Sequence, residues 1–435
     1  FKQKTAYEIP KRDWSSDVCS SDLKAIEYLE EVDYSKYTVG HIEHEAIVPA
    51  NAPDFVQNVL GKIIANEGDE LPVSAFPVDG TYPTATTQWE KRNIAEEVPV
   101  WDADICSQCG KCYLVCPHAA IRCKVYDKEL LSQAPQTFKH IAPIGKEFIK
   151  EKEVYTLQVA VEDCTGCKLC VEVCPIESKA QAGHKAINMS AKEPLKDKEH
   201  VNWDFFLSLP DIDRSRINHG SVKGSQMLEP LFEFSGACSG CGETPYLKLL
   251  TQLFGDRMIV ANATGCSSIF GGNLPTTPWT VNNEGSGPAW ANSLFEDDAE
   301  FGLGIKLASD QKKHLAVSLL KKLREEVGTE LSDAILSMVE ASETDHFILR
   351  KNINELKKRL RQMNSIEAIK LFDVAEFIAH KSIWIIGGDG WAYDIGFSGL
   401  DHVLSTGENV NILVLDTEDR KSTRLNSSHV SESRM

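Results

Sequence analysis

The sequence lacks a surplus of basic residues, since 46 Lys and Arg face 64 Asp and Glu, for a net charge of -18. Nucleic-acid binding depends on cationic contacts to phosphates, so this balance argues against nucleic acid as a partner. No run reaches the roughly 18 apolar residues that a membrane-spanning helix needs. The N-terminus also lacks the charged, apolar and small-residue order of a secretory signal. We therefore expect a cytoplasmic protein with no membrane partner.

Cysteine is plentiful by contrast, with 13 residues in a chain of 435. In a small secreted protein this content would indicate a disulfide framework. In a chain of this length without a secretory signal it favours metal binding or redox chemistry. The length itself allows two or three domains with their own cores.

The two ends of the chain have a foreign composition. Residues 1–23 and 420–435 resemble translated sequencing-adapter sequence and show no hydrophobic periodicity. We exclude them from fold reasoning, natural tails being the alternative, and expect no role for Cys19. The protein proper is then expected to run from about Lys24 to about Glu418 and to be truncated at both ends.

Eight cysteines form two copies of one motif, C-x2-C-x2-C-x3-C-P, which ends at Pro117 in the first copy and at Pro175 in the second. This spacing is the one by which bacterial ferredoxins bind two [4Fe-4S] clusters, and the fourth cysteine of each copy ligates the other cluster. The first predicted ligand set is Cys106, Cys109, Cys112 and Cys174. The second predicted ligand set is Cys164, Cys167, Cys170 and Cys116.

A pair of zinc sites is the alternative interpretation, but zinc needs only four ligands in pairs and leaves the eightfold repeat unexplained. Cys123 lies outside the pattern and is predicted to be a small buried apolar residue. Residues 124–160, between the two copies, exceed a minimal ferredoxin and are expected to form an inserted excursion.

The rest of the chain divides by composition. Residues 24–100 are broken by Pro and Gly, with a helical pattern only over Phe55–Ala65, and 190–230 read as a polar linker. From residue 232 onward strands and helices alternate, which suits a parallel sheet covered on both faces. The predicted strands are Met258–Asn262, Ile383–Gly387 and Asn411–Asp416. The predicted helices are His314–Glu326 and Leu331–Met363.

A third group of cysteines lies in this last region. Cys238 and Cys241 form a C-x-x-C pair, and Cys266 follows the first predicted strand. Open α/β sheets place their sites at the carboxyl ends of strands. Three thiolates can hold a cluster with a fourth donor. A zinc site completed by His219 and unrelated buried cysteines are the alternatives.

The triplet Gly388-Asp389-Gly390 follows another predicted strand. Its glycines allow a sharp turn. Asp389 can reach a Mg²⁺ ion that holds a diphosphate, and Thr417, after the last strand, can supply a second oxygen. Alone, such a triplet is more often a simple turn.

Together these segments resemble the C-terminal portion of the pyruvate:ferredoxin (flavodoxin) oxidoreductase family, over nearly all of residues 40–418. Long strings carry the resemblance, among them CSQCGKCYLVCPHAAIR, DCTGCKLCVEVCP, FSGACSGCGETPYLKLLTQLFGDRM and GGDGWAYDIGFSGLDHVLSTGENVNILVLDTE. The implied fold combines α/β and α+β: a ferredoxin-like two-cluster module and then a thiamine-diphosphate-binding parallel-sheet α/β domain. The implied segments are 1–23 (adapter-like), 24–100 (connecting), 101–190 (two-cluster), 191–419 (thiamine diphosphate) and 420–435 (adapter-like).

The resemblance also implies roles for single residues. Cys238, Cys241 and Cys266 would hold a third cluster, and Glu243 and Cys266 would lie against thiamine diphosphate. The loop that binds the diphosphate of this cofactor and its metal ion would be Gly388, Asp389, Gly390 and Trp391. Asp389 and Thr417 would bind the Mg²⁺ ion. After Asp416-Thr417-Glu418 the sequence departs from the family, so an expected Asn is missing. The residues that contact pyruvate lie outside this chain.

The implied activity of the intact enzyme is oxidative decarboxylation of pyruvate with coenzyme A to acetyl-CoA and CO2. Electrons would pass through the clusters to ferredoxin or flavodoxin, and the full-length protein would be a homodimer. This chain alone is expected to be inactive. The rival interpretations are an oxidoreductase for another 2-oxoacid, a non-catalytic iron–sulfur electron-transfer protein and a zinc-stabilised module.

Overall fold

The computed structural model describes Glu31, Ser35 and residues 47–272, 275–294, 296–339 and 346–417. Cys19, Glu418 and the adapter-like tails lie outside the described residues. None of the described helices combines the length and the apolar character needed to span a bilayer.

The described part of the connecting region contains one α-helix, besides short 3-10 turns. A π-helical turn at Val56–Leu60 continues into α1 (Gly61–Ile64), which confirms the helical pattern predicted there. Its apolar face packs with Ala52 and Trp89 in a small core of its own.

The two-motif module is built from two halves with the same order of elements. Each half runs strand, cysteine loop, short helix, strand, and each strand pairs antiparallel with one from the other half: β1 with β4 and β2 with β3. The elements are β1 (Glu97–Trp101), α2 (Lys111–Leu114), β2 (Ile121–Asp127), β3 (Glu153–Val159), α3 (Leu169–Glu172) and β4 (Ile187–Ala191). The duplicated sequence therefore produces a duplicated fold.

The inserted excursion is the long connection between β2 and β3. It returns along the sheet, where Ile141 bridges to Tyr155. The Lys139 ammonium group donates to the carbonyl oxygen of Trp101 at 2.6 Å. The excursion therefore packs on the module rather than projecting from it.

Residues 190–230 were predicted to be a linker, and this prediction is wrong. They contain α4 (Lys196–Ser208) and α5 (Val222–Ser225), and the side chains of Trp203 and Phe206 are buried in the core of the two-motif module. Trp203 and Phe206 are three residues apart, so they share one face of α4, although the helix is polar on average.

The following region confirms the predicted parallel sheet. Its strands are β5 (Met258–Asn262), β6 (Ala289–Asn292), β7 (Ser382–Gly388) and β8 (Asn411–Leu415), in the order β6-β5-β7-β8. All three strand pairings are parallel. The helices are α6 (Thr244–Phe254), α7 (Cys266–Gly271), α8 (Asp298–Lys322), α9 (Arg324–Val327), α10 (Thr329–Ser337), α11 (His346–Leu360), α12 (Ile366–Val374) and α13 (Phe397–Thr406).

Two helix predictions need correction. The helix predicted over His314–Glu326 begins much earlier, at Asp298, because the start of α8 packs on β5 and β7. The single helix predicted over Leu331–Met363 is two helices, α10 and α11. They pack against each other, and residues of both belong with those of α12 to a separate apolar core.

A strap, residues 82–95, joins the module to the part of the chain that contains the parallel sheet, called the sheet domain below. The strap includes a 3-10 turn at Thr87–Trp89. The backbone amides of Thr86 and Thr87 donate to the carbonyl of Thr277, at 3.2 and 3.3 Å. Farther along, the Asn93 amide donates to the Glu162 carbonyl at 3.0 Å. The connecting region therefore holds the two parts together with backbone hydrogen bonds.

A buried ion pair crosses the same boundary. Arg122 of β2 donates to the carboxylate of Glu233, and both side chains are about nine-tenths buried. The guanidinium also lies over the rings of Trp203 and Phe234, 5.4 and 5.2 Å from their centroids.

Glu233→Ala should lower the free energy of unfolding by about 3–5 kcal/mol, because it leaves the buried Arg122 charge unpaired. Urea denaturation followed by tryptophan fluorescence measures the loss. Asp333→Ala, which breaks the exposed pair with Arg324, is the control and should change the urea midpoint little. Equal midpoints for the two variants would contradict the assigned role of Glu233.

Candidate functional site

The two cysteine loops share one backbone conformation. Gln108 and Gly110 in the first loop have φ of 55° and 85°, and Gly166 and Lys168 at the matching places in the second both have φ of 68°. Glycine adopts this left-handed region freely, whereas Gln and Lys do so at a cost. The same pair of left-handed residues curls each loop so that three cysteines lie close together.

The loops also place equivalent hydrogen bonds on their first sulfur atoms. The Gln108 amide lies 3.4 Å from the sulfur of Cys106, and the Gly166 amide lies 3.4 Å from that of Cys164. Backbone N–H groups aimed at cysteine sulfur favour the thiolate and tune the potential of a bound cluster.

The first predicted ligand set lines one cavity. Cys106, Cys109 and Cys112 border it from the first loop, and Cys174 borders it from the second. The rest of the lining is mostly apolar and includes Trp101 and Tyr155. Burial raises the pKa of the Cys106 thiol, and Cys109 and Cys174 add to that rise. The structure therefore brings the four thiols together as the interleaved assignment predicts.

The second predicted ligand set shows the same exchange of ligands. Burial raises the pKa of the Cys164 thiol to about 12 and also raises that of Cys170. In both cases the Cys116 thiol, from the other loop, contributes further to the rise. Cys116 therefore lies beside the second loop, and such buried thiols give up their protons when metal charge is present.

The described cysteines form no disulfides. No three His, Cys, Asp or Glu side chains of the described residues form a group that could hold a single metal ion. A cubane cluster takes one thiolate at each of four irons, so its ligands are spread around a cavity rather than gathered at one point.

Sequence reasoning missed Gln108. Its side chain is almost fully buried, at 1% exposure, and it donates to the Ala142 carbonyl at 2.8 Å. The Ile144 amide donates back to the Gln108 side-chain oxygen at 2.8 Å. Both partners belong to the inserted excursion, so Gln108 fixes the left-handed turn of the first loop. A Gln at a position that favours glycine was the available signal.

Cys123 is buried in β2, as predicted, and burial raises its thiol pKa to about 11. His219 was the possible fourth ligand of a zinc site. Its Nε2 atom instead hydrogen-bonds with the nearby carbonyl of Arg214 at 2.6 Å.

The Cys238–Cys241 loop packs on the second cysteine loop. The Ser239 hydroxyl donates to the Thr165 carbonyl at 3.3 Å, and a Cβ at Gly240 would lie 3.7 Å from that of Cys167. Cys266 begins α7, just beyond the carboxyl end of β5. Because α6 runs back along the sheet into β5, its start lies at that same edge, so both cysteine segments share it. Their joint ligation of a cluster stays a prediction.

Two buried carboxylates meet at this edge of the sheet. Glu243 precedes α6 and Asp389 follows β7, and one oxygen of each is buried without a hydrogen-bond partner among the described residues. Burial raises the pKa of Glu243 to about 7, and the charge of Asp389 adds to the rise. Buried unpaired carboxylate oxygens are costly, whereas a hard divalent cation satisfies them. The donor set therefore fits Mg²⁺.

The Gly388-Asp389-Gly390 triplet does not make the predicted sharp turn. β7 passes directly into helix at Asp389, and Gly390 has a helical φ of -61°. A Cβ added at Gly388 would find only the Leu415 carbonyl, at 3.9 Å. The backbone at Gly388 is therefore open to a ligand such as a diphosphate.

The other two residues predicted for this site, Trp391 and Thr417, differ in burial. The Trp391 indole is buried against Gly387 and Gly396, so it supports the loop from the core. Thr417 is exposed after β8, next to Asp416, which accepts a hydrogen bond from the Tyr393 hydroxyl at 3.0 Å.

Asp298, at the start of α8, is a third buried carboxyl near this edge. It accepts a hydrogen bond from the Ser293 hydroxyl at 3.1 Å, and its other oxygen has no partner among the described residues. Burial raises its pKa to about 7.

Comparison with known proteins agrees with this geometry. Residues 105–178 match the family described as a 4Fe-4S dicluster domain, and 41–95 match EKR, a domain of unknown function. The dicluster match favours cubane clusters over zinc.

Three similar proteins extend the match over most of the chain. A putative pyruvate-flavodoxin oxidoreductase of Synechocystis sp. is 59% identical over 372 residues, which cover 86% of this chain and 31% of the relative. A pyruvate-flavodoxin oxidoreductase of Trichormus variabilis is 58% identical over 86% of this chain and 32% of the relative. A pyruvate:ferredoxin oxidoreductase of Moorella thermoacetica is 47% identical over 91% and 34%. The chain thus spans about a third of their length.

Cys174→Ala should remove the cluster of the Cys106 set, although Cys174 belongs to the second loop. Electron paramagnetic resonance (EPR) of the reduced, anaerobically reconstituted chain should show the same signal lost as in Cys106→Ala. About four irons should be lost, as for one cubane. Cys123→Ala is the control and should keep all iron. A Cys174→Ala spectrum that matches Cys164→Ala instead would refute the interleaved ligation.

Asp298→Asn should make stability less dependent on pH. The folded-state pKa lies above its ordinary value of 3.8, so the folded state binds a proton that the unfolded state releases. The parent therefore loses stability as pH rises from about 4 to 7. Between pH 5 and pH 8 the urea midpoint should fall further in the parent than in the variant. A parallel fall in both would contradict the assignment.

Proposed function

Because the chain belongs to the pyruvate-flavodoxin oxidoreductase family, we propose that it is the electron-transfer part of an enzyme that decarboxylates pyruvate oxidatively. In this proposal coenzyme A takes the acetyl group, CO2 is released, and ferredoxin or flavodoxin takes the electrons. The observation that carries the proposal is the pair of interleaved thiol sets with the Cys238–Cys241 loop packed on one of them.

The contacts between loops support one order of electron transfer. The Cys238–Cys241 loop touches the second cysteine loop, at Thr165 and Cys167. The second loop in turn shares its ligands with the first through Cys116 and Cys174. Electrons therefore enter at the Cys238 group, cross the Cys164 set and leave from the Cys106 set.

The residues at the carboxyl-end edge of the parallel sheet support a binding site for thiamine diphosphate and Mg²⁺ there. Bound there, thiamine diphosphate supplies the electron sink that decarboxylation of a 2-oxoacid requires. Asp389 and Thr417 are the proposed Mg²⁺ ligands, and the charge of Asp389 also acts on Glu243. Gly388 leaves room for the diphosphate, the resemblance adds Gly390 to the same loop, and Cys266 lies at the same edge to bring the third cluster close.

Other parts of the proposal rest on the family alone. They are pyruvate rather than another 2-oxoacid, the use of coenzyme A, a homodimer at full length and a cytoplasmic location. The buried unpaired oxygens of Glu243 and Asp389 favour a catalytic cofactor over a pure electron-transfer protein.

A chimera tests this function. Residues 47–417 of this chain should replace the matching segment of the Synechocystis relative. Pyruvate- and coenzyme A-dependent reduction of flavodoxin should then be retained within about tenfold, a difference of about 1.4 kcal/mol in the barrier. The same chimera with Asp389→Asn should lose activity, because the Mg²⁺ ligand is gone.

A second chimera, with Cys241→Ala, separates the two halves of the proposal. It should keep thiamine diphosphate binding, measured by calorimetry, but lose flavodoxin reduction. An inactive parent chimera that holds all its iron and thiamine diphosphate would contradict the proposal.

A further inference from the structure

Lys248 is a buried cation that reaches from the sheet domain into the two-motif module. It lies on α6 and is 2% exposed. Its ammonium group donates to the backbone carbonyls of Tyr113, Leu114 and Cys116, the last two at 3.0 and 3.3 Å.

Burial lowers the pKa of Lys248 to about 8, so the side chain is mostly charged at neutral pH, and the contact geometry matches that form. An ammonium group has three N–H donors and no acceptor, whereas a neutral amine has only two N–H donors. Three carbonyl oxygens around one nitrogen therefore match the cation. Among the described ion pairs none involves Lys248, so carbonyl dipoles are its direct contacts.

The three carbonyls belong to one of the two segments that both ligand sets share. α2 carries Cys112, a member of the first set, and ends just before Cys116, a member of the second. Lys248 therefore caps the last turn of α2, where carbonyl groups lack partners and a cation is favoured. The thiols of both cysteines interact electrostatically with its charge, Cys116 more strongly than Cys112.

We propose that Lys248 positions the 112–116 segment, one of the two that both clusters share, and that its charge raises the reduction potential of both, more for the cluster bound by Cys116. The inference rests on the clusters of the proposed function. Reduction adds negative charge to a cluster, and a buried cation nearby stabilises that charge strongly because the surroundings have a low dielectric constant. A residue of the sheet domain thus makes the two clusters better electron acceptors.

Redox titration of the full chain, followed by EPR after anaerobic reconstitution, tests this role. Lys248→Gln keeps amide donors for the carbonyls but removes the charge. It should shift both midpoint potentials to more negative values, with the larger shift at the Cys116 cluster. Lys248→Arg keeps the charge and should hold both potentials near those of the parent.

Lys192→Gln is the matched control. Lys192 is also buried, at 5% exposure, and also donates to a carbonyl, that of Asn93 at 2.7 Å. It should leave both potentials unchanged. Parental potentials in a Lys248→Gln chain that holds both clusters would overturn the inference, and so would an equal shift in Lys192→Gln.

If Lys248→Gln loses both clusters, the potentials are measured in Lys248→Arg instead. Both clusters at parental potentials in the arginine variant would support the role of the charge. Their loss there too, with Lys192→Gln intact, would reduce Lys248 to a packing residue and overturn the inference. A parent chain that binds no iron would overturn the proposed function itself.

Discussion

The structure of the module depends on an exchange of cysteines between two loops. Each set of four thiols takes three members from one loop and the fourth from the other, so neither set is complete until the two halves have met. The strand pairing meets this requirement, because β1 pairs with β4 and β2 with β3, always between halves. The left-handed residues at matching places in the two loops then give both sets the same shape.

The surroundings of the thiols and the boundary with the sheet domain also determine the properties of the site. The thiols lie in mostly apolar surroundings that disfavour thiolate, so the iron charge of a bound cluster and nearby hydrogen-bond donors would have to favour it. Arg122 and Lys248 lie at the boundary with the sheet domain, one paired with a carboxylate and the other with carbonyl groups. The strap over residues 82–95 holds the same boundary through backbone hydrogen bonds.

The sequence predicted the features that depend on local pattern. The cysteine spacing located the eight thiols, and the apolar run at Met258–Asn262 coincides with β5 because a buried parallel strand needs only such a run. Features that depend on distant partners were missed. Trp203 and Phe206 are buried only because α4 packs on β3 of the two-motif module. Helix α8 extends to Asp298 because β5 and β7 lie beneath it. The meeting of Glu243 and Asp389 likewise joins residues far apart in the chain, which no local pattern could reveal.

The contact between Gln108 and the inserted excursion has a consequence for the evolution of the module. A glycine at this position would make the turn without help, but glutamine depends on the carbonyl of Ala142 and the amide of Ile144 to hold it. Shortening the insertion to ferredoxin length would leave a buried amide side chain without partners, at a cost of about 1–3 kcal/mol, beside a metal ligand. Residue 108 and the insertion therefore have to change together, and a lineage that kept one is constrained to keep the other.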